Sequence, residues 1–396
     1  MPYRAIIKQN SSSPLRPVFD SSARSKGGKS LNDALLVGPN LLPDLVAVLL
    51  RFRRWPIAIS GDIKMAFLNL FVHEEDKDFH RFLLFIEQKL IIFRFNRLPF
   101  GNASSPFLLN GTIKYHISLF PNSRAKEELN TNVYVDNLLS GADTREEAET
   151  LYTESCRILS SANLIINKWS TNHGELHDLF MNQKVNTTTS KYLGVEWDPH
   201  NDIIKFSLIL LNYQNLTKRT LLSIISSIYD PMGLISPYTL MGKIIFQKVW
   251  SLGPQQGWDT PLPEVLTNLF HDWLITAQDL KGFISNRSYF PQPWNLSLKN
   301  LEVIAFGDAS PLAYGAVVYI RTKHEGKYMV SFCVAKTRVA PVKEVTLPRL
   351  ELLAALLAAR LSDYVRNCLM IPEARTMCYS DSTIVLHWIK KVTILY

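Results

Sequence analysis

Hydrophobic periodicity divides the chain into runs that read as helices and runs that read as strands. Leu45 to Phe52 has helical spacing and ends in Arg51, Arg53 and Arg54, cations that complement a helix C-terminus and are free to face solvent or a phosphate backbone. Ile57-Ala58-Ile59-Ser60-Gly61-Asp62 is an apolar strand running into a glycine and an aspartate, with a short helical pattern after it. An acid there is placed either to cap that helix or to hold a metal. Phe82 to Phe95 reads as a hairpin. In Leu98-Pro99-Phe100-Gly101-Asn102-Ala103-Ser104-Ser105-Pro106 the spacing predicts a helix capped by Ser105, with Pro106 at its first position. The Pro-x-Gly turn before it lets backbone approach a ligand closely. Asn132 to Ser140 is an apolar run that turns back at Asp136-Asn137, two residues that tolerate positive φ and by themselves make an ordinary hairpin turn.

Further along, Arg145 to Ser161 predicts a helix capped by Asp143 or Thr144, with Glu146 and Glu147 in its first turn. Asn167-Lys168-Trp169 reads as a loop and Lys191 to Asp198 as a hairpin. Leu216 to Trp273 is helical, interrupted at Asp230-Pro231-Met232-Gly233 and Ser236-Pro237, and Pro291-Gln292-Pro293 is a linker. A separate α/β pattern follows. One strand, Leu301 to Phe306, ends at Gly307-Asp308, and Tyr314 to Ile320 pairs back on it. Leu347 to Leu361 is a helix apolar nearly all round, hence predicted to be buried, with Glu351 inside it, and a strand Met377 to Tyr379 ends at Ser380-Asp381.

Composition narrows the class. An apolar fraction of 47% over 396 residues supports two to four globular units and excludes a disordered chain. A formal charge of +8 favours a polyanionic partner, nucleic acid first. The basic loop Ser25-Lys26-Gly27-Gly28-Lys29-Ser30 reads as phosphate-contacting or simply solvated. Cys156, Cys333, Cys368 and Cys378 have no metal-binding spacing, which suits free thiols in a reducing compartment. The N-terminus has no signal-peptide pattern and no apolar run reaches membrane-spanning length, so the expectation is an intracellular, cytoplasmic protein without a membrane partner.

Aspartates at strand ends, with a glutamate on an apolar helix, need counter-charge, and hard oxygen ligands favour Mg²⁺. Two such ions roughly 3.5–4 Å apart stabilise the attacking and leaving oxygens of a phosphoryl displacement. These residues resemble the reverse transcriptase and ribonuclease H region of the polyprotein of BEL/Pao-type LTR retrotransposons, over nearly the whole chain. Asp62 with Phe67 is similar to the first polymerase motif, Leu98 to Pro106 to the second, Tyr134-Val135-Asp136-Asn137 to the third, and Tyr192-Leu193-Gly194 to the primer grip. Asp308, Glu351 and Asp381 resemble three of the four ribonuclease H carboxylates. The resemblance implies a right-hand polymerase of α+β and α/β domains: fingers at 1–56, palm at 57–212, helical thumb and connection at 213–290, linker at 291–300, and an incomplete ribonuclease H-like domain at 301–396.

It also implies roles. Asp62, Asp136 and the backbone carbonyl of Ile63 would bind two Mg²⁺, with Mn²⁺ as a substitute, and Asp308, Glu351 and Asp381 would bind metal in the second domain. Arg16, Phe67, Phe100 and Gly101 would contact the nucleotide, and Lys168 would give a proton to the leaving pyrophosphate or lie idle on the surface. Phe67 reads equally as a core aromatic. The implied partners are an RNA template, a DNA primer, an RNA–DNA hybrid and deoxynucleoside triphosphates, met in the cytoplasm, in virus-like particles or in the nucleus. Two departures stand out: Asn137 occupies the position of a second catalytic aspartate, and no fourth ribonuclease H carboxylate follows Asp381. Two expectations result, an active RNA-directed DNA polymerase or an impaired copy that only binds nucleic acid.

Overall fold

The computed structural model describes residues 1–7, 15–24, 26–180, 190–206, 213, 215–277, 279–280, 282–291 and 300–392. Most of the expected linker, at 292–299, lies outside them. The chain forms two compact units, Met1–Asp44 with Ile59–Val185, and Leu45–Ala58 with Asn186–Tyr396.

In the first unit, β1 (Tyr3–Ile7) and β2 (Leu15–Phe19) pair antiparallel. The central sheet is built from β3 (Ile57–Ile63), and β4 (Arg81–Ile86) and β5 (Lys89–Arg94) make the expected hairpin. The central sheet is completed by β6 (Val133–Tyr134), β7 (Asn137–Ala142) and β8 (Ile166–Thr171), in the order β6-β7-β3-β8. Every residue of β3 is buried except Asp62. The helix Arg145–Ser160 packs on β7 and β8, and of the two caps expected for it Thr144 is used, accepting from the Glu147 amide at 3.3 Å.

Two local readings change. Asn167-Lys168-Trp169 is part of strand β8, because Trp169 is fully buried and the segment pairs with β3. The turn between β6 and β7 is Val135-Asp136, since Tyr134 pairs with Asn137. The positive φ falls on Val135, at 58°, and not on Asp136 or Asn137. A β-branched residue in the left-handed region is strained, so this turn is held by its surroundings and not by its own propensity.

In the second unit, β9 (Ser190–Tyr192), β10 (Val195–Asp198), β11 (Ile203–Lys205) and β12 (Ile284–Asn286) form an antiparallel sheet in the order β12-β11-β10-β9. Three helices, Lys218–Ser227, Ser236–Trp250 and Glu264–Thr276, enclose a core of Leu221, Ile224, Ile245, Phe270 and Trp273. A last sheet contains β13 (Glu302–Ala309), β14 (Ala313–His324), β15 (Lys327–Val339) and β16 (Thr376–Tyr379) in the order β15-β14-β13-β16. The helix lying on it runs from Leu347 to Leu369, longer than its predicted end at Leu361, and is not buried all round: Leu347, Leu352 and Leu356 are exposed.

The Leu45–Phe52 helix belongs to this second unit, held by two buried arginines. Arg287 is fully buried, makes a fork to Asp202 at 2.6 and 2.7 Å, and donates to the carbonyls of Phe52 and Trp55 at 2.7 and 2.8 Å. Arg53, which the sequence left free to face solvent or phosphate, is 2% exposed and donates to the carbonyls of Arg287 and Cys333 at 3.0 and 3.1 Å. Removing one partner of a buried ion pair leaves an uncompensated charge, at a cost of about 3–5 kcal/mol. Arg287→Ala should lower unfolding stability by that amount, followed by tryptophan fluorescence in urea. Arg287→Lys should recover little of it, because an ammonium cannot reproduce the fork.

Candidate active site

Asp62 reaches solvent because the pairing of β3 with β8 slips between Ser60 and Asp62. A bulge re-aims the side chain at that point. The glycine just before it is required by packing, since a Cβ on Gly61 would meet the Ile166 side chain at 2.5 Å. Asp62 does not cap the short helix Ala66–Asn69, whose N-cap is Met65 with φ 52° and no side-chain hydrogen bond. The Ile63 amide donates to the Asp136 carbonyl at 2.7 Å, which ties the bulged strand to the strained turn and sets the two aspartates beside each other. Burial, and then the charge of Asp62, push the Asp136 carboxyl above its ordinary range, while Lys168 partly offsets the rise.

The donors around this pair are specific. Lys168 Nζ lies 3.3 Å from Asp62 Oδ1, and the Asn137 amide donates to Asp136 Oδ1 at 2.9 Å. The Asn167 amide, with its nitrogen toward Asp62, donates to Oδ1 at 3.2 Å and to the Asp62 carbonyl at 2.9 Å. Asn167 was missed in the sequence because a loop reading gives its side chain no direction.

Phe67 is buried and meets Phe100 edge-on with ring centres 4.9 Å apart, while Phe100 stays half exposed. Gly101 has φ 95°, and what approaches it closely is the chain itself: a Cβ would stand 2.8 Å from the Phe19 carbonyl, and Asn32 donates to the Gly101 carbonyl at 3.0 Å. The close approach of the chain itself is thus sufficient to require a glycine there. Ser104, not Ser105, is the helix N-cap, and the Ser105 hydroxyl instead donates to the Pro99 carbonyl at 2.8 Å. The loop is further anchored through Asn102, which accepts from Ser21 at 2.6 Å and contacts His80 Nδ1 at 3.0 Å. Arg16 lies in β2 opposite Ile6.

In the second unit, Tyr192, Leu193 and Gly194 form the β9–β10 turn, with φ 50° at Leu193 and 83° at Gly194. Tyr192 points into the core against Trp197, and a Cβ on Gly194 would strike the Tyr229 ring at 2.6 Å. Asp308, Glu351 and Asp381 do come together: each offers a carboxylate oxygen within 4.8 Å of the others. The parallel register of β13 on β16 ends at Phe306 opposite Tyr379, and the two aspartates stand two residues beyond. Gly307 brings the helix close, because a Cβ there would meet the Ala354 carbonyl at 2.6 Å. Glu351 Oε2 is buried and has no hydrogen-bond partner among the described residues. Burial, then Asp308 and Asp381, raise its carboxyl above the ordinary range.

Residues 20–197 match the family described as reverse transcriptase (RNA-dependent DNA polymerase), and residues 217–382 match the Pao retrotransposon-like RNaseH-like domain. The chain thus carries a reverse transcriptase-like region followed by a Pao-type ribonuclease H-like region. The foamy viral protease-reverse transcriptase in complex with an RNA/DNA hybrid is similar at TM-score 0.58 and 14% identity, over 99% of this chain and 48% of the viral one. The same viral protein in complex with double-stranded DNA is similar at TM-score 0.60 and 15% identity, over 98% of this chain and 71% of that one. The chain spans about half the length of the first of these, and at such identity the likeness establishes the fold. No curated protein matches it.

Reverse transcriptases generally use divalent metal ions, and both carboxylate groups fit one. In the ribonuclease H-like domain the unpartnered Glu351 oxygen faces two further acids, and in the reverse transcriptase domain Lys168 stands against Asp62 and Asp136. The charge on Glu351 therefore works against folding. That cost is absent below the ordinary glutamate pKa of 4.5, grows as the pH rises from there to the raised folded value, and is constant above it. Glu351→Gln should raise the thermal midpoint by roughly 1–3 °C at neutral pH in chelator. The gain should vanish near pH 4 and reverse in a saturating divalent cation, as read by calorimetry.

Proposed function

We propose that the chain is the RNA-directed DNA polymerase segment of a BEL/Pao-type LTR retrotransposon polyprotein, with residues 1–56 as fingers, 57–212 as palm, 213–290 as thumb and connection, and 301–396 as a ribonuclease H-like domain. The observation that carries this reading is the Ile63–Asp136 hydrogen bond, which sets two carboxylates side by side on a strand and a turn. Asp62 and Asp136, with the Ile63 carbonyl, would hold two Mg²⁺. Bound there, the ions would supply Lewis-acid activation of the primer 3′-hydroxyl and neutralise charge on the triphosphate.

The chain's own groups do the rest. Asp62 and Asp136 orient the reacting centre, and Lys168, beside Asp62, is placed to assist the leaving pyrophosphate. Phe100, braced by the buried Phe67, presents an apolar wall for the nucleotide, and the Asn102 anchors keep Gly101 and its neighbours from drifting. Arg16 would meet the triphosphate, and Tyr192, Leu193 and Gly194 would support the primer through backbone, since Tyr192 is turned inward. Asp308, Glu351 and Asp381 would bind metal and hydrolyse the RNA strand of a hybrid.

Asn137 supports an impaired variant of the same reading, because its amide takes up Asp136 without adding negative charge. Primer extension on an RNA template should show incorporation by the unaltered chain above an Asp62→Ala control. Asn137→Asp should extend primers about 10–100-fold faster. Incorporation no greater than the control by both the unaltered chain and Asn137→Asp would overturn the reading.

A further inference from the structure

The two polymerase carboxylates are held in the same way by different strands. With the Asn167 amide turned so that its nitrogen faces Asp62, the arrangement that satisfies both of its ends, Asp62 Oδ1 receives it at 3.2 Å from β8, and Asp136 Oδ1 receives the Asn137 amide at 2.9 Å from β7. Lys168, the third donor, also falls on Asp62 Oδ1. The Oδ2 atoms lie outside all three contacts. Asn167 adds a second hydrogen bond, to the Asp62 backbone carbonyl at 2.9 Å, so it fixes both the side chain and the bulge from which that side chain emerges.

A carboxylate with one oxygen tied down by a neutral donor keeps its charge, loses rotational freedom, and presents its other oxygen in a fixed direction. Donors of this kind commonly change metal affinity by about tenfold or more when removed, without touching the metal. An amide oxygen offered as a ligand would need the Asn137 side chain turned the other way, with its nitrogen off Asp136. The contact that exists uses the nitrogen.

We propose that Asn137 and Asn167 are a matched pair of positioning residues, each orienting one metal-binding carboxylate through its amide N–H, so that Asn137 acts on Asp136 and is not itself a ligand. This rests on the polymerase reading of Asp62 and Asp136 and assigns what surrounds them. The substitution at the third motif then changes the work done at that position from ligation to orientation. The negative charge at the site comes from Asp62 and Asp136, offset by Lys168.

The test is a pair of double-mutant cycles on Mn²⁺ affinity, read by the electron paramagnetic resonance signal of free Mn²⁺. The full chain is used, with Asp308→Asn and Asp381→Asn to silence the second carboxylate group, and unfolding midpoints confirm that each variant folds. Asn137→Ala should weaken binding about tenfold when Asp136 is present and have no effect in an Asp136→Asn background. Asn167→Ala should behave likewise with Asp62 and Asp62→Asn. Crossed pairs, Asn137 with Asp62 and Asn167 with Asp136, should be close to additive. An equal loss with and without the partner aspartate would show that the amides bind the ion themselves and would overturn the proposal, as would no loss from either alanine. Failure of the silenced but otherwise unaltered chain to bind Mn²⁺ would instead remove the polymerase reading beneath it.

Discussion

Everything proposed for the first unit depends on one hydrogen bond, from the Ile63 amide to the Asp136 carbonyl. It joins the end of a buried strand to a two-residue turn that would not keep its shape alone, since Val135 must take a left-handed backbone that β-branched residues avoid. The cost is met by burial around it: Leu138, Leu139, Ile59 and Ile63 are almost wholly out of water. Sequestering the strand leaves only its aspartate accessible, and the turn carries the second. The chemistry is thus set by backbone pairing, with side chains following.

The second unit reaches a similar arrangement by another route. There Asp308 stands near the end of β13 and Asp381 just past the parallel β16, and a helix brought close by Gly307 supplies Glu351. In both places carboxyls are buried, and set beside like charges, at a loss of stability, which raises those of Asp136 and Glu351. Groups arranged against their own solvation are a common mark of sites built for a cation. The +8 chain around them suits a polyanion, but these clusters are where that balance reverses locally.

Much of this was legible in the sequence. Apolar runs ending in Gly-Asp located Asp62 and Asp308, and the helix carrying Glu351 declared itself by its spacing. What stayed hidden depends on partners far away in the chain. Nothing near Asn167 indicates that it pairs with a residue more than a hundred positions earlier, so its strand read as a loop. Arg53 looked like a helix-terminal cation because its acceptors, the carbonyls of Arg287 and Cys333, belong to remote segments. The Phe19 carbonyl that Gly101 must admit is likewise more than eighty positions away in the chain. Local pattern thus located the chemistry, while long-range pairing decided which neighbours hold it in place.

The central claim is that Asp62 and Asp136 share a divalent metal site. It is tested most directly by replacing the ion with Fe²⁺ and mapping where hydroxyl radicals cut the polypeptide in the presence of ascorbate and peroxide. Cuts clustered beside Asp62 and beside Asp136, lost together in Asp62→Ala and suppressed by excess Mg²⁺, are the predicted result. Cleavage confined to the neighbourhood of Asp308, Glu351 and Asp381, with none near Asp62 or Asp136, would contradict it.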